Sequence, residues 1–372
     1  MNDRAWVEIN LENLNHNIKV LNAALPEGCQ LMAVVKANGS GHGAEGIATQ
    51  LEKLGVTAFA VATIDEGIAL RQAGVRSEIL ILGFTDPHRA CELSDFDLTQ
   101  TIVGYEHALG LEREGYHIKV HIKIDTGMHR LGFDCFDIDK VAACFSLHFL
   151  HVGGIFSHLC VSDSLDTQDV EFTHIQISRF YNLLEGLSLK RIDIPKTHLQ
   201  SSYGLLNYPE LKCNYVRAGV ALYGVHSSQN LSTKLQLDLR PVLSLKSRVV
   251  QIRTVSAGEA VGYGKSYITQ KDTRLAIVPI GYADGIPRAL SCKDFCVLIK
   301  GTLVPIVGRI CMDQLAIDVS TVPDAAIGDE VTLIGQDGKR EIKAVELAEE
   351  TGSITNEILS RIGRRLGIVM KS

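Results

Sequence analysis

Apolar and polar positions follow two different rhythms along this chain. Over roughly the first two-thirds, short β-rich apolar runs recur. Each is followed by a polar or glycine-rich turn and then by a stretch with helical periodicity. The strand candidates are 32–36, 58–63, 78–83, 98–103, 118–125, 152–158, 197–202 and 215–223, with helix-like segments such as 44–54 and 65–73 between most of them. Strand–helix alternation predicts a parallel sheet, and eight such units predict a closed (β/α)8 TIM barrel. An open doubly wound sheet is the competing fold, but no GxGxxG fingerprint supports it.

The rhythm changes after about residue 231. Extended runs at 242–254, 276–280, 296–299, 314–319 and 330–334 follow one another without helices, punctuated by Gly and Pro. They predict a mostly β domain, closed by helical segments at 343–350 and 356–366. The run 6–11 reads as a strand outside the count of eight. The expected division is a barrel over 12–231 and a β-rich domain from 1–11 with 232–372.

Composition narrows the function classes. The 372 residues suffice for two domains with real cores, and 46% hydrophobic residues is ordinary for a soluble protein. No apolar run reaches the length of a transmembrane helix, and no basic-then-apolar leader opens the chain. A net charge of -6 offers no footprint for nucleic acid or an anionic membrane. The nine cysteines are scattered without a CxxC pair, so reduced thiols in a cytoplasmic setting are expected and a zinc site is not.

Candidate chemistry gathers at predicted strand ends. In AVVKANGSGHG an apolar strand delivers Lys36 to a glycine-rich turn. A lysine poorly solvated at such a place has a lowered pKa and a free amine for Schiff-base chemistry, although a lysine snorkelling from a strand end would read the same way. Lys123, Asp125, His158, Ser201, Ser202 and Arg217 also fall at or just beyond strand ends. That is the catalytic face of a (β/α)8 barrel.

The motifs AVVKAN with GHG, KIDTGMHRLGF, FSHL, HLQSS, VRAGVALYG, VGYGKSY, PIGYADGIPR and VGRICMDQ occur in this order over nearly the whole length. In this the chain resembles the bacterial alanine racemases, pyridoxal-phosphate enzymes with a barrel and a C-terminal β domain. The resemblance implies that Lys36 bonds the cofactor and serves as one catalytic base. It implies Arg217 opposite the pyridine nitrogen, with His158 orienting it. A guanidinium stays protonated, so it keeps that nitrogen unprotonated. Ser202 with the amides of Gly219 and Val220 matches the phosphate site. Tyr263 matches a second base supplied by the partner subunit, which implies an obligate homodimer with shared sites. Arg130 and the Met312 amide match contacts to the carboxylate of a small amino-acid substrate. Lys123 matches a lysine often carbamylated to orient Arg130. Tyr282, Asp313, Arg288, Arg309 and Asp163 resemble residues of the entrance.

Two positions depart from the common pattern. Ser40 stands where the family usually has a phosphate-binding tyrosine, and Asn356 stands where a tyrosine usually packs over the cofactor. Asn356 is smaller and offers a donor and an acceptor to a hydroxymethyl side chain; an N-cap at a helix start would explain it as well. This substitution and the opening RAWVEINL resemble the racemase domain of the membrane serine racemases of vancomycin resistance. That implies L-/D-serine and L-/D-alanine interconversion for peptidoglycan precursors, with the chain either a free cytoplasmic protein or the cytoplasmic domain of a longer membrane protein. A housekeeping alanine racemase, a barrel-type pyridoxal-phosphate decarboxylase and a non-catalytic pyridoxal-phosphate carrier are the alternatives.

Overall fold

The computed structural model describes residues 4–229, 231–363 and 365–371. The expected ranges above also include 1–3, 230, 364 and 372, which lie outside the described residues. Eight parallel strands close into a ring: Gln30–Val34, Ala58–Val61, Glu78–Ile81, Thr99–Ile102, Ile118–Asp125, Leu150–Phe156, Lys196–Ser201 and Tyr215–Ala218, the last pairing again with the first. Ala58–Val61 and Thr99–Ile102 are buried along their whole length, as strands covered on both faces must be. The surrounding helices each turn one apolar stripe inward. Ala44–Lys53 buries Ile47, Ala48 and Leu51, and Ile64–Gln72 starts where Thr63 accepts the Glu66 amide.

Phe133–Asp134 adds a short strand beside Ile118–Asp125, and the other described strands form a ten-stranded, mostly antiparallel sheet and a small hairpin. Ala5–Asn10 lies inside that sheet, antiparallel to Leu243–Arg248 and parallel to Gly367–Lys371.

Several segments differ from the sequence reading. The strand expected over 215–223 stops at Ala218, and Val220–Tyr223 forms a 3-10 turn after Gly219. The run 242–254 is two strands, Leu243–Arg248 and Gln251–Val255, because the amides of Val249 and Val250 bond to Asp329 and Ile277 between them. The terminal helix covers only Thr355–Ser360, and the chain then runs out as the strand Gly367–Lys371, whose partner is the far N-terminus. Thr302–Val307, with Pro305 inside it, is a strand that the sequence reading missed.

Candidate active site

The C-terminal ends of the barrel strands surround a cavity of about 450 Å³ lined by Lys36, Lys123, Arg130, His158, Arg217 and Asn356, among others. A second cavity of about 310 Å³, near Leu239, Ile342 and Leu359, is mainly apolar.

Lys36 follows the strand Gln30–Val34 and opens a turn in which Ala37, Asn38, Gly39 and Ser40 have φ of 54°, 54°, 61° and 50°. Consecutive left-handed residues are strained and need bracing. Glu66 supplies it: one carboxylate oxygen accepts the Ala37 amide and the other the Ala62 amide, each at 2.7 Å. Lys36 is accessible from the cavity. Burial of its surroundings and the nearby Arg130 nonetheless lower its pKa, against the opposing pull of Glu66. The amine is therefore easier to free than an ordinary lysine's. Ser40 does not line this cavity; its carbonyl meets His42 Nδ1 at 2.9 Å.

Arg217 is buried beneath the cavity. Nη1 donates to His198 Nδ1 at 2.7 Å and to the His198 carbonyl at 3.1 Å. Nη2 donates to the carbonyls of Ser157 and Leu199 at 2.7 and 3.1 Å and meets His158 Nδ1 at 3.2 Å. Among the described residues its Nε–H has no protein acceptor. Burial lowers its pKa to about 10, so the group stays protonated at neutral pH. Burial and the charge of Arg217 push both His158 and His198 well below the ordinary histidine value.

His198 is the arginine's closest side-chain partner, and it was not singled out from the sequence. Its ring stacks on Phe156 at 4.5 Å, and its Nε2 meets His121 Nδ1 at 2.9 Å. His121 Nε2 in turn lies 3.2 Å from Glu78 Oε1. The only signal was the histidine within the HLQSS motif; His121 and Glu78 carried none.

At the neighbouring strand end, Ser202 Oγ accepts the amides of Gly219 at 3.0 Å and Ala221 at 3.3 Å. Val220 opens the 3-10 turn, so its N–H has no acceptor within that turn. Hydroxyl and amides on one rim suit an anion such as a phosphate.

Lys123 is buried. Its pKa falls to about 7 through burial first and then repulsion from Arg217 and Arg130, opposed by Asp125. Its amine donates to the Ile124 carbonyl at 2.9 Å. Asp125 itself turns away to hold the amides of Gly127 and His129. Asp163 lines the cavity. Asn356 follows Thr355 within the helix, whose cap position is Ile354, so Asn356 is not an N-cap. Its Oδ1 instead accepts Ser227 Oγ at 3.0 Å.

The β domain carries the other expected residues, and none of them lines the barrel cavity of its own chain. Tyr263 is 68% exposed, in a turn on which Arg309 packs. The amide of Tyr282 bonds to Cys311, beside exposed Met312, and Asp313 pairs with Arg365 at 2.7 Å. Arg288 opens the 3-10 turn Arg288–Leu290.

Comparison with known proteins decides what this architecture is. Residues 9–227 match the alanine racemase N-terminal domain family and residues 242–370 the alanine racemase C-terminal domain family. The chain belongs to the alanine racemase family. It is 52% identical to an amino-acid racemase of Enterococcus faecalis and 42% identical to a serine/alanine racemase of Enterococcus gallinarum, covering 100% and 99% of this chain. The chain spans about half the length of these relatives, 52% of each. The solved alanine racemase of Clostridium difficile superposes with a TM-score of 0.94 at 35% identity, covering 100% of this chain and 96% of that one. Alanine racemases depend on pyridoxal phosphate. The cavity has an accessible amine for the carbonyl, a spare guanidinium N–H for the ring nitrogen and a hydroxyl–amide rim for the phosphate, so its residues fit that cofactor.

Proposed function

We propose that this chain racemises serine and alanine by a two-base mechanism in a homodimer with shared sites. The observation that carries the proposal is a single cavity holding both Lys36, with its lowered pKa, and Arg217, with one N–H left to donate. Pyridoxal phosphate, when bound, supplies the electron sink that makes the substrate's Cα–H acidic. Lys36 would hold the cofactor through its amine, and as a free amine it would take or return the Cα proton on one face. The Arg217 N–H would face the ring nitrogen and, staying protonated, would keep it unprotonated, restraining the sink. Ser202, Gly219 and Val220 hold the phosphate. Arg130 fixes the substrate carboxylate, together with the Met312 amide of the partner subunit.

Tyr263 of the partner subunit is the second base, on the opposite face of Cα. A free phenol has a pKa near ~10 and needs nearby positive charge to act as a tyrosinate; Arg130, on the rim, is one source. The exposure of Tyr263 and its distance in the fold from its own chain's cavity support a site completed by a second copy. Tyr282, Arg309, Asp313 and Arg288 would then border the entrance, with Asp163 on the barrel side.

The serine preference rests on Asn356 and on the likeness to the Enterococcus gallinarum serine/alanine racemase. A D-serine or D-alanine product would serve peptidoglycan precursors, and the resemblance of Asn356 and the opening RAWVEINL to the membrane serine racemases supports a setting in vancomycin resistance. Loss of optical rotation from L-serine and from L-alanine tests the reading. Carbon dioxide release in its place would indicate a decarboxylase, and cofactor binding with no turnover a carrier.

A further inference from the structure

Below Arg217, hydrogen bonds run in one line to the opposite end of the barrel. Guanidinium nitrogens only donate, so His198 Nδ1 must accept from Nη1 and its proton must sit on Nε2. That proton points at His121 Nδ1, which must therefore accept, and His121 carries its own proton on Nε2, facing the Glu78 carboxylate. A cation at one end and an anion at the other fix the direction of every bond and keep both rings neutral. Glu78 is braced in turn: Tyr215 Oη donates to its Oε2 at 2.9 Å, and Lys196 Nζ donates to Tyr215 Oη at 2.6 Å. Glu78, Lys196 and Tyr215 each open their strand, so this cluster marks the barrel end away from Lys36.

The barrel makes specific room for the line. A Cβ on Gly154 would lie 2.6 Å from His121 Cε1, and the His198 ring lies at 6° to the Phe156 ring beneath it. A purely structural interior would be filled more cheaply by apolar side chains.

We infer that Glu78 is a positioning residue: through His121 and His198 it locks the arrangement that leaves the Arg217 Nε–H free to face the cofactor ring. The inference rests on the racemase reading for its consequence, but the hydrogen-bond pattern stands apart from it. Without an acceptor at position 78, His121 can carry its proton on Nδ1 and donate to His198. The His198 proton then moves to Nδ1 and opposes the Arg217 Nη1–H across 2.7 Å. The guanidinium must rotate away, and its Nε–H loses its aim. With the carboxylate in place, that alternative would leave a half-buried anion facing a bare nitrogen and forfeit a hydrogen bond to a charged group.

The test is side-chain nitrogen NMR on holoenzyme carrying 15N-histidine, with racemisation kinetics on the same samples. Wild type is expected to show His121 and His198 as neutral Nε2–H tautomers. Glu78→Leu should move at least one of them to Nδ1–H and lower kcat between about 10-fold and about 100-fold, the worth of a hydrogen bond to a charged group. KM should change little. Glu78→Gln keeps an acceptor for His121, so it should retain the wild-type tautomers and stay within about threefold in kcat. An Nδ1–H tautomer or an imidazolium at His198 in wild type overturns the inference. So does Glu78→Leu with wild-type tautomers and rate, whatever its melting temperature. If Glu78→Leu does not fold, the wild-type and Glu78→Gln spectra still decide. A wild type that turns over neither serine nor alanine refutes the racemase reading instead, and leaves the tautomer result standing.

Discussion

Ser227 Oγ donates to Asn356 Oδ1 at 3.0 Å, and both side chains line the cavity that holds Lys36. With its oxygen occupied, Asn356 has its amide hydrogens left to offer a ligand hydroxyl. A buried hydroxyl without a partner costs on the order of 1–3 kcal/mol. Asn356→Tyr is therefore expected to lower kcat/KM for L-serine by roughly 5- to 150-fold while leaving L-alanine within a few-fold. Parallel assays on the two substrates measure the ratio; an unchanged ratio would mean that this position does not select the substrate.

Lys36→Ala should abolish both the bound-cofactor absorbance and racemisation. Burial and Arg130 lower the Lys36 pKa, so its amine is expected to lose its proton at a lower pH than an ordinary lysine. The pH dependence of cofactor uptake by wild-type apoenzyme, in which Lys36 is a free amine, and the absorbance of the variant mixed with cofactor would check both points. Near-normal turnover by Lys36→Ala would refute the assignment.

Tyr263→Phe is expected to cripple racemisation while leaving the cofactor bound. Mixing it with Lys36→Ala chains tests the shared site. In a mixed dimer one of the two sites combines an intact Lys36 with an intact Tyr263 from the other chain. Equal mixing should restore up to about a quarter of wild-type activity, since about half the dimers are mixed and half their sites are whole. No recovery after verified subunit exchange would count against a site built from two chains.

Lys123 should make stability depend on pH and on carbon dioxide. Its folded pKa of about 7 lies below its unfolded value, so burying the ammonium costs stability in full below about pH 7. That cost fades as pH rises from there toward the unfolded lysine value. In carbon-dioxide-free buffer, Lys123→Met should raise Tm most at pH 7 and below. The neutral amine of wild-type Lys123 can add carbon dioxide, releasing a proton and becoming a carbamate near Arg217 and Arg130. Bicarbonate should accordingly raise the Tm of wild type and not of Lys123→Met; an equal response in both would exclude the modification.

Gly154→Ala should disturb the histidine pair without touching a charged group. Its new methyl would fall 2.6 Å from His121, and overpacking of this kind typically costs about 1–3 kcal/mol. Thermal melts should record the loss, and the His121 nitrogen resonances should move.

Much of the fold was legible because several barrel strands are buried on both faces and therefore read as short apolar runs, as Ala58–Val61 and Glu78–Ile81 do. The polar residue at the end of such a run was equally legible, and Lys36, Lys123, His158, Ser202 and Arg217 do meet in one cavity. Boundaries set by distant partners were not. Gly367–Lys371 is a strand because Ala5–Asn10 offers it an edge, and 215–223 breaks because Gly219 turns the chain. Ser40 and Asp125 sat at promising places, but backbone geometry directed them to local turns.

What the sequence by itself determined was the alternation that closes the barrel, the β domain after it, and the residue types waiting at the strand ends. Local burial and turn chemistry suffice for those. Only the tertiary structure decided how they combine. Glu78, His121, His198 and Arg217 lie on four different strands, and their hydrogen bonds form only because closure of the ring brings those strands to one axis. The fold of the β domain likewise leaves Tyr263 exposed and outside the lining of its own chain's cavity. No periodicity encodes such distances, because they are set by packing between segments far apart in the chain.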